Sequence, residues 1–430
     1  MVGLADNYVG VIDNPAGLAM AADSNGIQFS GNIIQDGFVQ PYLSMVSSNN
    51  YSVMATPYPW GFGFSAWSPQ EEGNRFRFGS LAGDQIDLNL KIWEYRWAAA
   101  RTFFDNRLSL GGAVVLSQAR ESMSFPDEPV ATGANHFTKD AYTAGFSLGA
   151  MLQLPKRWLL GVNYSSPLRQ SFEAADQPGR GVENFFQPVQ TPQRVAFGAA
   201  WVPNRAFRAA VGLYFMGSMD STALLTDDGR TAGARWTAQP RAGLAYTVAD
   251  FKYYKAYLHF GSYFESSRTA GFGDRTHFTG ALDLNLWFFN IGWGVDKARE
   301  YRNFIYTAGI DIGRFLRAFD LIPPEKRPPQ QGFFPDPFYF SDAGLPRPMV
   351  KEWNSEEHNP NVIDLGLQLP GRLKEKFTTA PGDVWRVGGE VLDELGTLPG
   401  ELRDQIGLIP GINLIPGLGP ARNVLEIPQK

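Results

Sequence analysis

The string Gly145-Phe146-Ser147-Leu148-Gly149 has the glycine and serine spacing that surrounds the nucleophile of many serine hydrolases. In those enzymes the serine stands on a sharp turn between a strand and a helix, where its hydroxyl is exposed. Here the string lies inside residues 140–154, which alternate between apolar residues and small or polar ones, as a single strand does. We therefore predict that Ser147 faces a crowded interior and that the chain is not an enzyme.

Metal and nucleic-acid chemistry have equally weak support. The four histidines are scattered along the sequence, at His136, His259, His277 and His358. The run Glu356-Glu357-His358 is more typical of a solvated loop than of a metal site. The chain has no cysteine, which excludes disulfides and thiolate ligands, and its formal charge of -5 offers no basic patch. We predict no metal, no cofactor and no nucleic-acid partner.

The composition indicates a membrane protein that crosses with strands. Aromatic residues make up 14% of the chain and charged residues only 19%, yet the mean hydropathy is -0.22. No run approaches the roughly 18 apolar residues that a membrane-spanning helix needs. Closed barrels are the other structure that satisfies the backbone in lipid, and their alternating strands keep the average hydropathy low. The first 25 residues lack a basic and apolar leader, so we expect a mature form.

The alternation of residues 140–154 recurs along the chain, and short turns follow long polar loops in regular order. This asymmetry is typical of outer-membrane barrels, whose short turns face the periplasm. Tight turns are predicted near 47–50, 105–106, 155–157, 203–205 and 249–251. We predict an all-β fold, a transmembrane antiparallel barrel of about fourteen strands, near 26–34, 39–47, 51–67, 84–103, 107–121, 139–154, 158–172, 193–202, 206–219, 235–248, 252–265, 276–287, 289–297 and 302–315.

Segment 84–103 contains one change of phase. Its first four apolar residues share one parity and its aromatic residues share the other: Ile86, Leu88, Leu90 and Ile92, then Trp93, Tyr95 and Trp97. A single change of phase predicts a β-bulge in this strand. A charge facing lipid is costly, so we expect Glu94 and Arg96 to face the lumen beside Asp87, Asn89 and Lys91.

The first twenty residues carry the most specific pattern. An Ala-Asp pair precedes an Asn-Pro-Ala-Gly string by about eight residues, at Ala5, Asp6, Asn14, Pro15, Ala16 and Gly17. This pattern resembles the amino-terminal signature of the FadL family of outer-membrane transporters. The resemblance implies that residues 1–25 form a hatch, a plug inside the lumen, and that residues 26–315 form the barrel. On the residues alone, an ordinary Asn-Pro turn in a loop is the alternative.

A second point of resemblance lies in the predicted third strand, residues 51–67. It contains two prolines and two glycines, Pro57, Pro59, Gly61 and Gly63, which weaken strand pairing. FadL-type transporters have an inward kink in this strand that opens a lateral window toward the membrane. The resemblance therefore implies a lateral opening here. The alternative is a simple break between two short strands.

The predicted last strand, 302–315, resembles the terminal signal that barrel-assembly machinery recognises, with Gly309 and the aromatic Phe315. The chain then continues, unlike the family. A proline-rich extended linker is predicted over 316–360, followed by a periplasmic tail, 361–430, with short amphipathic helices. Four residues of this tail are predicted to contact a partner: Trp385, Val391, Leu395 and Leu402. The alternative is that the apolar end folds back under the barrel mouth.

Two functions fit this sequence. The leading prediction is a bacterial outer-membrane channel for passive uptake of hydrophobic, fatty-acid-like molecules, with the hatch as gate and lateral release through the third strand. The alternative is a structural or secretion-associated barrel, similar to the PorV-like relatives of the family, whose tail docks partner proteins through residues 323–430. Either protein is expected to contact outer-membrane lipid and lipopolysaccharide, with its tail in the periplasm.

Overall fold

The computed structural model describes most of the barrel and parts of both termini. The described residues are 10–21, 26–36, 46–56, 59–77, 85–124, 136–172, 188–218, 236–267, 273–299, 301–318, 321, 331–337, 382, 385–386, 388–394, 396–397 and 400. Within them, no helix has the length and apolar character needed to cross a membrane.

Fourteen antiparallel strands of the described chain pair in one closed cycle. Barrel strands that are neighbours in sequence are neighbours in the sheet, and Phe207–Met216 pairs with Thr237–Asp250. The first and last barrel strands close the cylinder, from Gly26↔Asp311 to Asp36↔Tyr301. The predicted fourteen-stranded barrel is confirmed. The barrel strands are β1 (Gly26–Asp36), β2 (Val46–Ala55), β3 (Trp60–Arg77), β4 (Gln85–Phe103), β5 (Leu108–Ser124), β6 (His136–Leu154), β7 (Trp158–Ser165), β10 (Arg194–Trp201), β11 (Phe207–Met216), β12 (Thr237–Asp250), β13 (Tyr254–Glu265), β14 (Arg275–Leu286), β15 (Phe289–Ala298) and β16 (Tyr301–Asp311).

Three short strands, three α-helices and a 3-10 turn at Pro155–Arg157 are also described, and residues 388–394 of the tail are helical. The strands β8 (Leu168–Gln170) and β9 (Val189–Thr191) pair with each other outside the main sheet, and β17 (Gly332–Phe333) pairs with β12. The helices are α1 (Gly10–Asp13), α2 (Gly17–Met20) and α3 (Ile312–Ala318). Five of the tight connections lie at 104–107, 155–157, 202–206, 251–253 and 287–288, all at the barrel end that also holds the start of β1 and the end of β16.

The outer face of the barrel is apolar and the inner face holds the polar groups. In β6, Phe146, Leu148 and Leu152 are exposed while Ser147 is fully buried. On the outside of β5 the apolar residues give way to polar ones at Arg120, which forms an ion pair of 2.9 Å with Asp140. Lipid outside the barrel and a lumen inside it account for this division. A charged side chain on the lipid-facing surface destabilises the barrel most in the middle of the hydrocarbon band and least at its edges.

The prediction of strand boundaries between residues 39 and 67 was wrong. Residues 46–55 form β2, so the turn predicted at 47–50 does not exist, and β3 begins only at Trp60. Pro59 lies in the connection between them, where its carbonyl accepts a hydrogen bond of 3.0 Å from the Thr102 amide. The second proline, Pro57, lies outside the described residues. The break between two strands, the alternative reading, is therefore what the described residues show.

The predicted bulge exists beside segment 84–103 but not in it. The β4–β5 ladder runs without a shift, whereas β3 shifts by one residue against β4 between Trp67 and Gln70. A proline cannot donate to the ladder, and Pro69 occupies this place in β3. The extra residue therefore belongs to β3.

Because β4 has no change of phase, Leu90 and Ile92 face the lumen together with Glu94 and Arg96. Leu90 and Ile92 are buried against Ala119 of β5 and against Val189 of a short hairpin inside the barrel. The prediction for Lys91 was wrong, since it alternates with these residues and its Nζ lies 5.2 Å from the ring centroid of outward-facing Trp93. Glu94 and Arg96 were placed correctly.

The last strand is shorter than predicted. It ends at Asp311 and the chain turns into α3, so Phe315 lies on a helix rather than at the end of a strand. Its ring packs edge-on against Phe288, with centroids 5.1 Å apart. Phe288 follows Trp287 in a two-residue turn between β14 and β15, where Trp287 has φ +56°. Gly309 remains in β16, and a Cβ there would lie 2.9 Å from the Ile27 carbonyl oxygen.

Candidate functional site

Residues 10–21, the described part of the hatch, lie inside the barrel against β3, β4 and β5. The turn between α1 and α2 is built by Asn14, which is fully buried. Its carbonyl accepts from the Gly17 amide at 3.0 Å and its Oδ1 accepts from the Ala16 amide at 3.2 Å. Its Nδ2 donates to the Ala150 carbonyl at 3.4 Å, which ties the turn to β6. The predicted Ala5 and Asp6 lie outside the described residues.

Two glycines of β3 make room for the hatch. A Cβ on Gly61 would overlap the backbone of Leu18, and a Cβ on Gly63 would lie 2.5 Å from Cγ2 of Val11. Gly63 pairs with both neighbouring strands and Gly61 pairs with β4, so neither glycine interrupts the β3–β4 ladder as the sequence suggested. Their role in the structure is close approach of the hatch backbone.

Two further glycines, on β5 and β6, also make room for the hatch. A Cβ on Gly111 would lie 2.5 Å from the Ala16 nitrogen and 2.6 Å from the Pro15 carbonyl carbon. A Cβ on Gly149 would overlap Oδ1 of Asn14. Gly149 is the last residue of the hydrolase-like string, so close contact with the hatch explains why this position is a glycine.

The serine of that string also has a structural place. Ser147 lies inside β6 rather than on an elbow, and its hydroxyl donates to Oδ1 of Asn163 at 2.9 Å. A Cβ on Gly145 would lie 2.5 Å from the Ser166 hydroxyl. Small residues thus alternate along this strand because the lumen beside them is filled.

Charged side chains hold the carboxyl end of α1. Arg96 and Arg194 both donate to the Ile12 carbonyl, at 3.4 Å and 3.3 Å. A positive guanidinium at the carboxyl end of a helix interacts favourably with the negative end of the helix dipole. Arg194 also lies 3.6 Å from the carboxylate of Asp13, which accepts from the Tyr214 hydroxyl at 3.3 Å. The sequence analysis missed this cluster, because its members come from three distant parts of the chain, near residues 12–13, at 96 and at 194–214, and share no motif.

The contacts of Asn14 lead to a first prediction. Replacing Asn14 with alanine removes its bonds to Ala16 and Ala150, and leaving buried polar groups unpaired costs about 1–3 kcal/mol. We expect the hatch to open more often. A cysteine placed at Val11, the single cysteine of the chain, should then react with maleimide markedly faster than in the parent. The replacement of exposed Asp140 with alanine serves as the control, and equal labelling in all backgrounds would contradict the prediction.

The barrel wall beside the hatch is built from small residues. Gly63, Ala98 and Ala113 are register partners across β3, β4 and β5, and Val11 and Leu18 pack on this row from the lumen side. The same three residues contribute to an apolar groove of about 770 Å³ on the outside of the barrel. Its other lining residues are Val53, Ala55, Phe62, Phe64, Trp97, Ala99, Gly112, Val114, Phe146 and Leu148.

Farther along the lumen, His277 is buried between two carboxylates. Its Nδ1 lies 2.9 Å from Asp296 and its Nε2 lies 3.1 Å from Glu265. Arg275 bonds Glu265 at 2.8 Å, and the Tyr263 hydroxyl donates to Asp296 at 2.6 Å. These groups satisfy one another and join β13, β14 and β15. Within the described residues no set of histidine and acidic side chains is arranged to hold a metal ion.

Two segments beyond the barrel dock on its short-turn end. In the predicted linker, β17 pairs with the free end of β12, and Phe333 packs against Phe251 with centroids 4.9 Å apart. In the tail, the Glu394 carboxylate accepts from the backbone amides of Lys252 and Tyr253 at 2.7 Å and 2.9 Å. Of the predicted linker, residues 316–318 belong to α3 and residues 331–337 are bound to the barrel, so an extended linker over 316–360 stays a prediction.

The predicted tail contacts are only partly described. Trp385 and Leu392 are 83% and 70% exposed, and Val391 is half-buried. Leu395 and Leu402 lie outside the described residues. The exposed tryptophan and leucine leave an apolar helix surface facing solvent on a segment whose acidic residues bind the barrel.

Comparison with known proteins found similarity in structure but not in sequence. No family model matches the chain, and no curated protein matches it by sequence. In structure it is similar to a FadL homologue of Pseudomonas aeruginosa, at 12% identity and a TM-score of 0.49 over 71% of this chain and 94% of that one. It is also similar to the monoaromatic hydrocarbon channel CymD, at 13% identity and a TM-score of 0.47 over 71% and 91% of the two chains. A third similar structure is the toluene transporter TodX of P. putida, at 14% identity and a TM-score of 0.44 over 71% and 94%.

Proposed function

We propose that this chain is a bacterial outer-membrane channel for passive uptake of hydrophobic small molecules. The observation that carries the proposal is the row Gly63, Ala98 and Ala113. It has the apolar hatch residues on one side and an apolar groove of about 770 Å³ on the membrane side. At this row the strand backbone and small side chains alone separate the plugged lumen from the lipid. The apolar band on the barrel exterior supports the membrane location.

Passive transport needs no energy input in this arrangement. Each CH₂ group that leaves water for an apolar surface gains about 0.8 kcal/mol, so a hydrophobic solute moves down its own gradient toward the lipid. The hatch would act as the gate, because residues 10–21 occupy the lumen through a small number of polar contacts. Asp13 and Asn14 supply side-chain contacts to the barrel. The Ile12 carbonyl accepts from Arg96 and Arg194, and the Ala16 carbonyl accepts from Ser109. We expect the closed state to depend on these contacts.

The proposed exit lies between β3 and β4, rather than at a kink built by Pro57 and Pro59. Support for this place comes from the groove, which is lined by Phe62 and Gly63 of β3 and by Trp97 and Ala98 of β4. The small-residue row crosses the same pair of strands. The function of Gly61 and Gly63 in this proposal is to bring the hatch against the wall, not to kink the strand.

A reversible cross-link tests this exit. Phe62 and Ala99 are register partners at the groove, so cysteines there can form a disulfide across β3 and β4. We expect uptake of a hydrophobic probe to stop on oxidation and to return with reductant. Val114 and Phe146 provide the matched control, because they are partners across β5 and β6 and line the same groove. Unchanged uptake in the oxidised β3–β4 variant would rule out this exit.

A second candidate function is partner docking through the tail. The specific observation is the tail segment 388–394, which is bound to the barrel by Glu390 and Glu394 while Trp385 and Leu392 remain exposed. A bound helix with an exposed apolar surface offers a fixed platform for another protein. This function corresponds to the secretion-associated alternative, in which the barrel anchors the tail in the membrane and does not transport a solute.

The tail contact should depend on pH in a defined window. Hydrogen bonds from the Lys252 ammonium and the Tyr253 hydroxyl lower the pKa of Glu390 to about 2, from 4.5. A lowered pKa stabilises the contact above about pH 4.5, and this stabilisation is lost as the pH falls toward 2. Spin labels on cysteines at Phe104 and Gly389 should give a narrow distance distribution at pH 7 and 5 and a broad one at pH 2.

Charge removal provides the control for this measurement. Replacing Glu390 with glutamine should broaden the distribution already at pH 7. Replacing Asp393 with asparagine removes the same charge from an exposed position of the same helix and should leave the distribution narrow. A distribution that stays narrow in the Glu390 variant would show that these bonds do not hold the tail.

A further inference from the structure

The apolar groove on the outside of the barrel has a cation beside one of its ends. Phe62 of β3 and Ala99 of β4 are register partners, and both line the groove. Trp60 and Arg101 form the next outward pair of the same strands, two residues or about 7 Å closer to the short turns. Because Arg101 is exposed, the groove has a positive charge at its short-turn end.

Aromatic rings hold Arg101 in place. Its Cζ lies 5.0 Å from the ring centroid of Trp60 and 5.3 Å from that of Phe103. Among the described residues, no carboxylate pairs with its guanidinium. The adjoining turn carries Asp105 and Arg107, both exposed, whose opposite charges offset each other. Stacking on a ring covers the face of a guanidinium and leaves its N–H edge available to an anion.

Arg101 lies at the level of lipid head groups. Three strands that start at the short-turn end each start with an exposed aromatic residue, at Trp60, Trp158 and Phe289. Such girdles mark the interface between hydrocarbon and water in outer-membrane barrels. Because Trp60 is the register partner of Arg101, the guanidinium lies at this interface.

The groove and the cation contribute differently to lipid binding. Lipid tails are as apolar as the groove, so the groove by itself offers a place for a chain but little preference between lipids. A planar guanidinium forms short, charge-assisted hydrogen bonds to phosphate, often two at once. The chain site and the phosphate site lie next to each other in the order that a phospholipid requires.

We propose that this surface binds a phospholipid of the leaflet at the short-turn end, with its phosphodiester on Arg101 and an acyl chain in the groove. The inference goes beyond solute uptake, since it concerns a lipid held on the outside of the barrel. It also bears on the proposed exit: a solute that leaves between β3 and β4 has to displace the acyl chain from the groove.

Native mass spectrometry of the full chain in detergent tests the inference. The protein is titrated with phosphatidylglycerol or with diacylglycerol of the same chains, which lacks the phosphate. We expect phosphatidylglycerol to bind more tightly by roughly 10- to 150-fold, the factor that corresponds to one hydrogen bond to a charged group. Arg101→Gln should bring the two affinities together. Ala99→Phe should weaken both, because the larger side chain fills the groove.

A second exterior arginine provides the matched control. Arg120 is exposed on the outside of β5 and is paired with Asp140 at 2.9 Å. Arg120→Gln makes the same replacement away from the groove and should leave the preference for phosphatidylglycerol unchanged. Equal affinities for the two lipids in the wild type, or a preference that survives Arg101→Gln, would overturn the inference. A dimer of the chain that Ala99→Phe abolishes would assign the groove to a second copy and would overturn it as well.

Discussion

Replacing Gly111 with valine is expected to release the hatch and raise the conductance of the barrel. A Cβ at this position would lie 2.5 Å from the Ala16 nitrogen, and backbone cannot move aside as a flexible side chain can. Overpacking of this kind costs about 1–3 kcal/mol, which favours the open state by roughly 5- to 150-fold. Single-channel recordings in planar bilayers should show a larger open fraction than in the parent protein.

The neighbouring residue gives a matched control for this experiment. Gly112 faces outward, and the nearest side-chain atom to a Cβ there is Cδ2 of Leu148 at 3.5 Å, an ordinary contact. Replacing Gly112 with alanine should leave the recordings unchanged. If the Gly111 variant, folded and inserted, conducted like the parent, the hatch would not be the element that closes the lumen.

The second large effect is expected at Asp250. This carboxylate is buried and bridges Arg205, at 2.5 Å, and Lys255, at 3.0 Å. Replacing Asp250 with alanine leaves two cations without their shared anion, and breaking a buried pair costs about 3–5 kcal/mol. We expect a loss of that size in the free energy of unfolding, measured by urea titration of the protein in lipid vesicles.

An exposed ion pair calibrates this loss. Arg120 and Asp140 lie 2.9 Å apart on the outer surface, where exposed pairs contribute about 0–1 kcal/mol. The replacement of Asp140 with alanine should therefore shift the titration little. Equal shifts in the two variants would mean that the buried bridge contributes no more than a surface pair.

The barrel could be predicted from the sequence because its signal is local. Lipid outside and a lumen inside impose alternation on each strand, and Phe146, Ser147 and Leu148 show it over three residues. The predicted boundary between β2 and β3 was wrong because Pro57, Pro59, Gly61 and Gly63 were assigned to one weakened strand. The outward residues change parity there, from Tyr51 and Val53 to Phe62 and Phe64, and this signal could have located the break.

The site was less predictable than the fold. The Asn14-Pro15 turn could be read from the sequence, because asparagine and proline build turns by local bonds. The residues that contact this turn could not be predicted from the sequence. Gly111 and Gly149 accommodate a segment that lies about a hundred residues earlier, and Asp13 meets Arg194 only when the barrel closes. Contacts of this kind depend on strand register, which the sequence specifies only through the whole sheet.

The central claim is that this barrel carries hydrophobic solutes passively through its wall. The most direct measurement is the initial rate at which cells take up an aromatic hydrocarbon, with and without the protein in their outer membrane. We expect faster uptake with the protein, unaffected by an uncoupler and abolished by oxidation of the Phe62→Cys/Ala99→Cys variant. Equal rates with and without the folded protein would contradict it.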